Sequence, residues 1–243
     1  MQRIPRLALL AVFGLGPACN QADPPGLDGS DSGTVVPLGE GELGSYFPLV
    51  DGGQWVYEIR EDGQLGEPEI VDARAVEFAG APAMLFVDNP KPDGDFTEST
   101  IVRRGSSAER VHKEVVTPAG VRTIVDYDPG FTRFDDAWTE PGGKGERRYE
   151  RTELSPMDVD PVPDVETRGH VFTVLSVDEE VTVPAGTFSC VAVERLRTTG
   201  ASAGERVLLW YAAGVGKVRE ERPATGRTEE LAELSIPGGA ELP

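Results

Sequence analysis

From Ser45 onward the sequence predicts an all-β domain laid out as an antiparallel meander, and three observations carry that prediction. Short segments alternate apolar and polar side chains with a period of two, as a strand with one buried face requires. Turn formers (Gly, Pro, Asp, Asn) interrupt these segments at close intervals, so that successive strands can fold back on one another. No apolar repeat of helical period lasts longer than two turns.

Taken in order, "QWVYEIRE" (54–61) sets Trp55, Tyr57 and Ile59 on one face. "EIVDARAVEF" (69–78) follows a Gly/Pro break, and "APAMLFV" (81–87) comes next. "STIVRR" (99–104) and "ERVHKEVV" (109–116) flank "GSSA", and "VRTIVDY" (121–127) follows "TPAG". Residues 135–169 hold one further strand candidate, "ERRYERTEL", and then "SPMDVDPVPDV", whose prolines and aspartates predict a long irregular loop. "HVFTVLSVDEEVTV" (170–183) places Val171, Leu175, Val177, Val181 and Val183 on one face. "PAG" reverses the chain, since Pro184 presets φ and Gly186 accepts a positive one, and "TFSCVAVERLRT" (187–198) returns. "ERVLLWYA", "GVGKVREER" and "RTEELAELSI" complete the series, although "TEELAEL" suits a short helix equally well. The predicted layout is therefore a signal peptide (1–18), a lipidated cysteine with a disordered tether (19–44), one β domain (45–236) and a loose tail (237–243).

The N-terminus reads as an export signal. Arg3 and Arg6 precede the apolar run Leu7 to Leu15, which is too short to span a bilayer. Gly16, Pro17, Ala18 and Cys19 follow, resembling a bacterial lipobox with Gly16 where leucine is usual. Two endings fit: cleavage before Cys19 with acylation of its thiol, or ordinary cleavage nearby and release. Residues 20–44 contain no aromatic side chain and are rich in Pro, Gly, Asp and Ser. Such a tract cannot bury enough to offset its chain entropy, which suits a tether after an acylated cysteine. The chain carries a formal charge of −19, and removing residues 1–18 takes away two arginines and no acid. A field of that sign repels nucleic acid and anionic lipid. With Cys19 acylated, Cys190 has no disulfide partner and reads as a small buried hydrophobe.

Two stretches, read together, are more distinctive: "SYFPLVDGGQWVYE" (45–58) and "VTVPAGTFSCVAVE…LLWYAAGVGKVREE…EELAEL". They resemble a widespread group of Gram-negative lipoproteins of uncharacterised activity, over the two ends of the domain. The resemblance implies a curved, half-barrel-like antiparallel sheet similar to that of the lipoprotein-sorting carriers of the outer membrane, with a surface facing the periplasm. It brings no catalytic residues, because the shared motifs are turns and strand starts.

Catalytic constellations are not apparent. His112 and His170 stand alone within strand segments, no ligand spacing points to zinc, and both read as surface or edge histidines. "DNPKPDGDFTE" (88–98) gathers Asp88, Asp93, Asp95 and Glu98, but Lys91 and Thr100 occupy positions where a hand-type calcium loop needs acids. "GVGKVR" puts Arg219 where a dinucleotide fingerprint needs its third glycine. The reading is therefore a non-enzymatic cell-envelope domain without metal or cofactor, tethered at Cys19 to a bacterial, outer, membrane or else secreted, and binding an envelope protein or serving structurally. The alternative is a carrier or sensor of an apolar ligand such as an acyl chain. It rests on "VLLWYA" and "HVFTV", which are apolar on both faces where a one-sided sheet would be polar outside. That alternative places the ligand against Phe172, Leu208 and Trp210.

Overall fold

The computed structural model describes residues 42–90, 94–138 and 140–238. The expected signal peptide, Cys19, most of the tether and the end of the tail lie outside them. Thirteen strands follow a short 3-10 turn at Glu42–Gly44. They are β1 (Gln54–Glu61), β2 (Gln64–Leu65), β3 (Glu69–Phe78), β4 (Ala81–Asp88), β5 (Phe96–Arg104), β6 (Ser107–Thr117) and β7 (Gly120–Asp135). β8 (Lys144–Leu154), β9 (Asp164–Val183), β10 (Gly186–Arg197), β11 (Arg206–Ala212), β12 (Gly216–Arg222) and β13 (Arg227–Ser235) complete the set.

The meander is antiparallel throughout, and its curvature continues to closure. β1 pairs with β3, each later strand pairs with the next, and β13 returns to β1 from Gln54↔Ser235 to Glu61↔Arg227. The two-residue β2 only extends the β1 hairpin. A closed ring leaves no free edge, and a ring of twelve strands is wide enough to hold an interior space. Trp55, Tyr57 and Ile59 face inward as the alternation of β1 predicts. "TEELAEL" is strand, because β1 and β12 both offer it a ladder.

Simple alternation fails at the bulges. Val174 faces Val193 and Ser176 faces Ala192, so Leu175 is an extra residue, 48% exposed. Phe172 and Val174 are therefore the buried pair, with Val181 and Val183 buried only after the phase has shifted. The reading that set Val171, Leu175 and Val181 on one face is corrected by that bulge. In β11, Val207, Leu209 and Tyr211 are buried on one face, and Trp210 on the other. Beyond that second face β9 reaches across to β12 and β13, and the Ala185 N–H of its hairpin tip donates to the Leu231 carbonyl at 3.0 Å.

Residues 42–53 cross one end of the barrel and close it as a floor. Glu42 accepts from Arg103 Nε (3.1 Å) at the end of β5, and the Tyr46 N–H donates to Asp136 (3.0 Å) just beyond β7. The Gly214 N–H, in the β11–β12 turn, donates to the Ser45 carbonyl at 2.8 Å. Phe47 turns inward, its ring 5.6 Å from that of Phe86 and 6.3 Å from that of Tyr211. The packed domain thus already includes Glu42, which the sequence reading left in the tether.

Candidate functional site in the barrel interior

The barrel encloses a partly open cavity of about 290 Å³. Phe47, Pro48 and Gly216 line it at the floor; Glu69, Asp88 and Arg222 line it towards the opposite end. Trp55, Val71, Phe86 and Ile101 give it an apolar wall. The rest of the lining is charged: Arg110, Lys113, Arg133, Arg195, Lys217 and Arg222 against Glu69, Asp88, Glu220 and Glu229. A chain of net charge −19 has therefore gathered an excess of cations around this cavity. Bulges make this possible. Ile101 faces Arg110 and Thr100 faces His112, so Val111 is an extra residue and Arg110 and Lys113 both reach the interior although three positions apart. Val218 does the same for Lys217 and Glu220.

One side of the cavity is electrostatically complete. Lys217 Nζ donates to Glu229 and lies 3.4 Å from Glu220, and it sits 4.6 Å from the centre of the Tyr57 ring. Arg222 donates to Glu220 at 2.7 Å, and Arg227 to Glu229 at 2.9 Å. Burial would lower the Lys217 ammonium, but Glu220 and Glu229 outweigh it and hold the group well above the usual lysine range. Burial likewise opposes ionisation of Glu220, yet Lys217, Arg222 and Arg195 hold its carboxyl well below the usual carboxylate range. Tyr57 is pushed up by burial.

The other side is incomplete. Phe131 stands at its centre, opposite Arg110 on β6. The guanidinium groups of Arg133 and Arg195 lie 5.8 and 5.3 Å from its ring centre. Among the described residues no carboxylate comes within 4.0 Å of Arg110, Arg133 or Arg195, whereas most arginines of this chain have such a partner. Arg110 Nε and Arg133 Nε are buried without an acceptor. Burial lowers the Arg110 and Arg195 guanidinium groups; Glu220 offsets part of this at Arg195, Tyr127 and Asp88 offset part of it at Arg110, and the Arg133 charge lowers both further. Lys113 is lowered by burial and by Arg110. The Asp88 carboxyl is itself raised by burial.

None of Phe172, Leu208 and Trp210 lines this cavity. Phe172 is buried against Trp138, ring centres 4.8 Å apart, and against His170 at 6.1 Å. Trp210 is on the outer face, donating to Glu179 Oε1 at 3.1 Å under the Arg219 guanidinium. Leu208 pairs with Glu221 on that same outer face. Cys190 is fully buried, and burial pushes its thiol up to about 12. The described acids of 88–98 diverge: Asp88 lines the cavity, Asp95 meets Arg122 at 2.9 Å and Glu98 meets Arg74 at 3.3 Å, while Asp93 lies outside the described residues. Among the described residues no three metal-capable side chains converge. His112 sits between Asp126 (2.7 Å) and Glu114 (3.2 Å). Sequence reasoning left 128–134 unassigned after "VRTIVDY" and so missed Phe131 and Arg133, whereas β7 continues through "DPG" to Asp135.

Comparison with known proteins gives a family match over part of the chain and a distant structural match. No curated protein matches the chain significantly. A crystal structure of a Parabacteroides distasonis protein, described as "a putative lipoprotein", aligns with 79% of this chain and 98% of its own at 15% identity and a TM-score of 0.40. Residues 174–225, from β9 to the β12–β13 turn, are similar to the DUF3108-like family, and this stretch contributes Arg195, Lys217, Glu220 and Arg222 to the cavity.

Proposed function

We propose that the protein is a cell-envelope lipoprotein, tethered through Cys19, whose barrel is a non-catalytic binding module for a small molecule. The cavity inside the closed barrel carries this reading: it combines an apolar wall with converging charged groups, the usual make-up of a ligand site. Nothing in it pairs a nucleophile with a base, and its carboxylates are tied to cations on one side, so binding fits better than turnover. An acyl chain, by contrast, would have to desolvate buried arginines and glutamates along its length. The charged lining therefore favours a polar or amphipathic occupant over a purely apolar one.

The full-length protein and its Cys19→Ala variant, fractionated from the same cells and examined by native mass spectrometry, test both halves. The wild type is expected in the membrane fraction and the variant in the soluble one. A reproducible non-covalent small-molecule mass is expected on both. Equal partitioning of the two removes the tether. A barrel that carries no such mass, and takes none up from an extract of the cells, removes the binding module.

A further inference from the structure

We infer that Arg110, Arg133 and Arg195 form a receptor site for the oxyanion head of a small amphipathic molecule, a phosphate or carboxylate borne on an aromatic or short aliphatic body that lies against Trp55, Phe86 and Ile101. This rests on the reading of the barrel as a binding chamber and names what the chamber takes.

The argument begins from cost. A buried charge is tolerated when paired, and a guanidinium presents five donors that all need acceptors. Elsewhere in the same barrel the chain meets this demand: Lys217, Arg222 and Arg227 each reach a glutamate. Around Phe131 it does not. Three guanidinium groups share one space, two of them with an Nε–H that finds no acceptor among the described residues. Mutual repulsion and desolvation both oppose that cluster; Glu220 and Asp88 offset part of it through space, and an acceptor entering the cavity would relieve it by direct contact. Water would satisfy the donors but not the charge; an oxyanion satisfies both, and the planar fork of arginine matches phosphate and carboxylate oxygens in pairs.

Position sets the rest of the ligand. The arginines flank Phe131 on β6, β7 and β10, while the apolar wall comes from β1, β4 and β5. At about 290 Å³ the space holds on the order of ten waters, which limits the guest to a small molecule and excludes a diacyl lipid. The protein's overall charge of −19 repels anions at long range, so capture depends on this local reversal of sign.

Thermal shift and calorimetry on the full-length protein test the site with four additives at matched ionic strength: phenyl phosphate, inorganic phosphate, benzyl alcohol and sodium chloride. Phenyl phosphate is expected to raise Tm most, inorganic phosphate less, and the other two not at all. Arg133→Met keeps the backbone carbonyl that accepts from the Tyr211 hydroxyl (3.2 Å) and removes one charge from the cluster. Its Tm without additive should equal or exceed that of wild type, and its phenyl phosphate Kd should rise about tenfold or more. Arg195→Met serves the same purpose should Arg133→Met fail to fold. Anion shifts no larger than that of sodium chloride, or a variant that binds phenyl phosphate as wild type does, overturn the site. If benzyl alcohol binds while the anions do not, the chamber stands and the charge assignment falls. If no additive binds and the native protein carries no ligand mass, both fall.

Discussion

His170 is the titratable side chain that the barrel holds under least favourable terms. It is 7% exposed, stacked on Tyr149 with ring centres 5.8 Å apart, and its Nδ1 has no partner among the described residues. Burial, with Arg195, Arg197 and Arg168 nearby, pushes its pKa down to about 3. The sign follows directly. Below about pH 6.5 the unfolded chain takes up a proton that the native ring refuses, so stability falls as pH drops towards 3, by roughly 1.4 kcal/mol per pH unit. His170→Phe removes both that liability and the orphaned nitrogen while keeping an aromatic ring in the cluster with Phe131 and Phe172. Chemical denaturation at pH 7 and pH 4.5 should show the variant at least as stable as wild type at the first, and ahead by about 2 kcal/mol more at the second. A stability difference that does not change with pH would show that the native ring titrates as it does in the unfolded chain. The sequence reading made it a surface or edge histidine and is corrected by its burial; nothing in the linear order announces the aromatic rings and three arginines around it.

Among the elements, the floor depends on Gly214. Its φ is +72°, and a Cβ there would lie 2.5 Å from the Leu43 carbonyl oxygen, a backbone atom that cannot swing aside. In the sequence, Gly214 and Gly216 read as folding instructions for the β11–β12 reversal. The structure adds a second duty, since the same glycine admits the segment that closes the barrel. Gly214→Ala should lower stability by about 2 kcal/mol, from strain and displacement together. Hydrogen exchange should quicken in 42–50 more than in β11 and β12. Uniform exchange across all three would show that the floor does not bear on this turn. Strand existence was readable in most segments because alternation and turn residues agree, the second half of β7 excepted; facing was not. Leu175, Val111 and Val218 are extra residues, and a slip of one moves every later side chain to the other face. Bulges leave little trace in composition, which is why the charged lining escaped notice while Trp55, Tyr57 and Ile59 did not.

At the scale of the whole molecule, closure joins the first strand to the last. No local pattern in either strand specifies that pairing, since the partners are separated by nearly the entire domain; the sequence supports the meander, and the ring emerges from accumulated curvature. Arg60 faces Thr228 across the seam. Arg60→Cys with Thr228→Cys should therefore oxidise spontaneously in the periplasm and cross-link a loop of about 170 residues, with a stabilisation of up to about 5 kcal/mol in the chain-entropy picture. Non-reducing electrophoresis and thermal denaturation with and without reductant report on it. A pair that stays reduced under oxidising conditions would mean that the seam is open in solution.

The floor also gives the barrel a direction. The chain enters through Glu42 at the end that Phe47 and Pro48 seal, and the cavity extends from there towards Glu69, Asp88 and Arg222. The interior is thus closed where the chain enters and extends away from that end, as in a cup. A guest admitted at the other end meets Glu69, Asp88 and Arg222 first, so those charges screen what reaches the base.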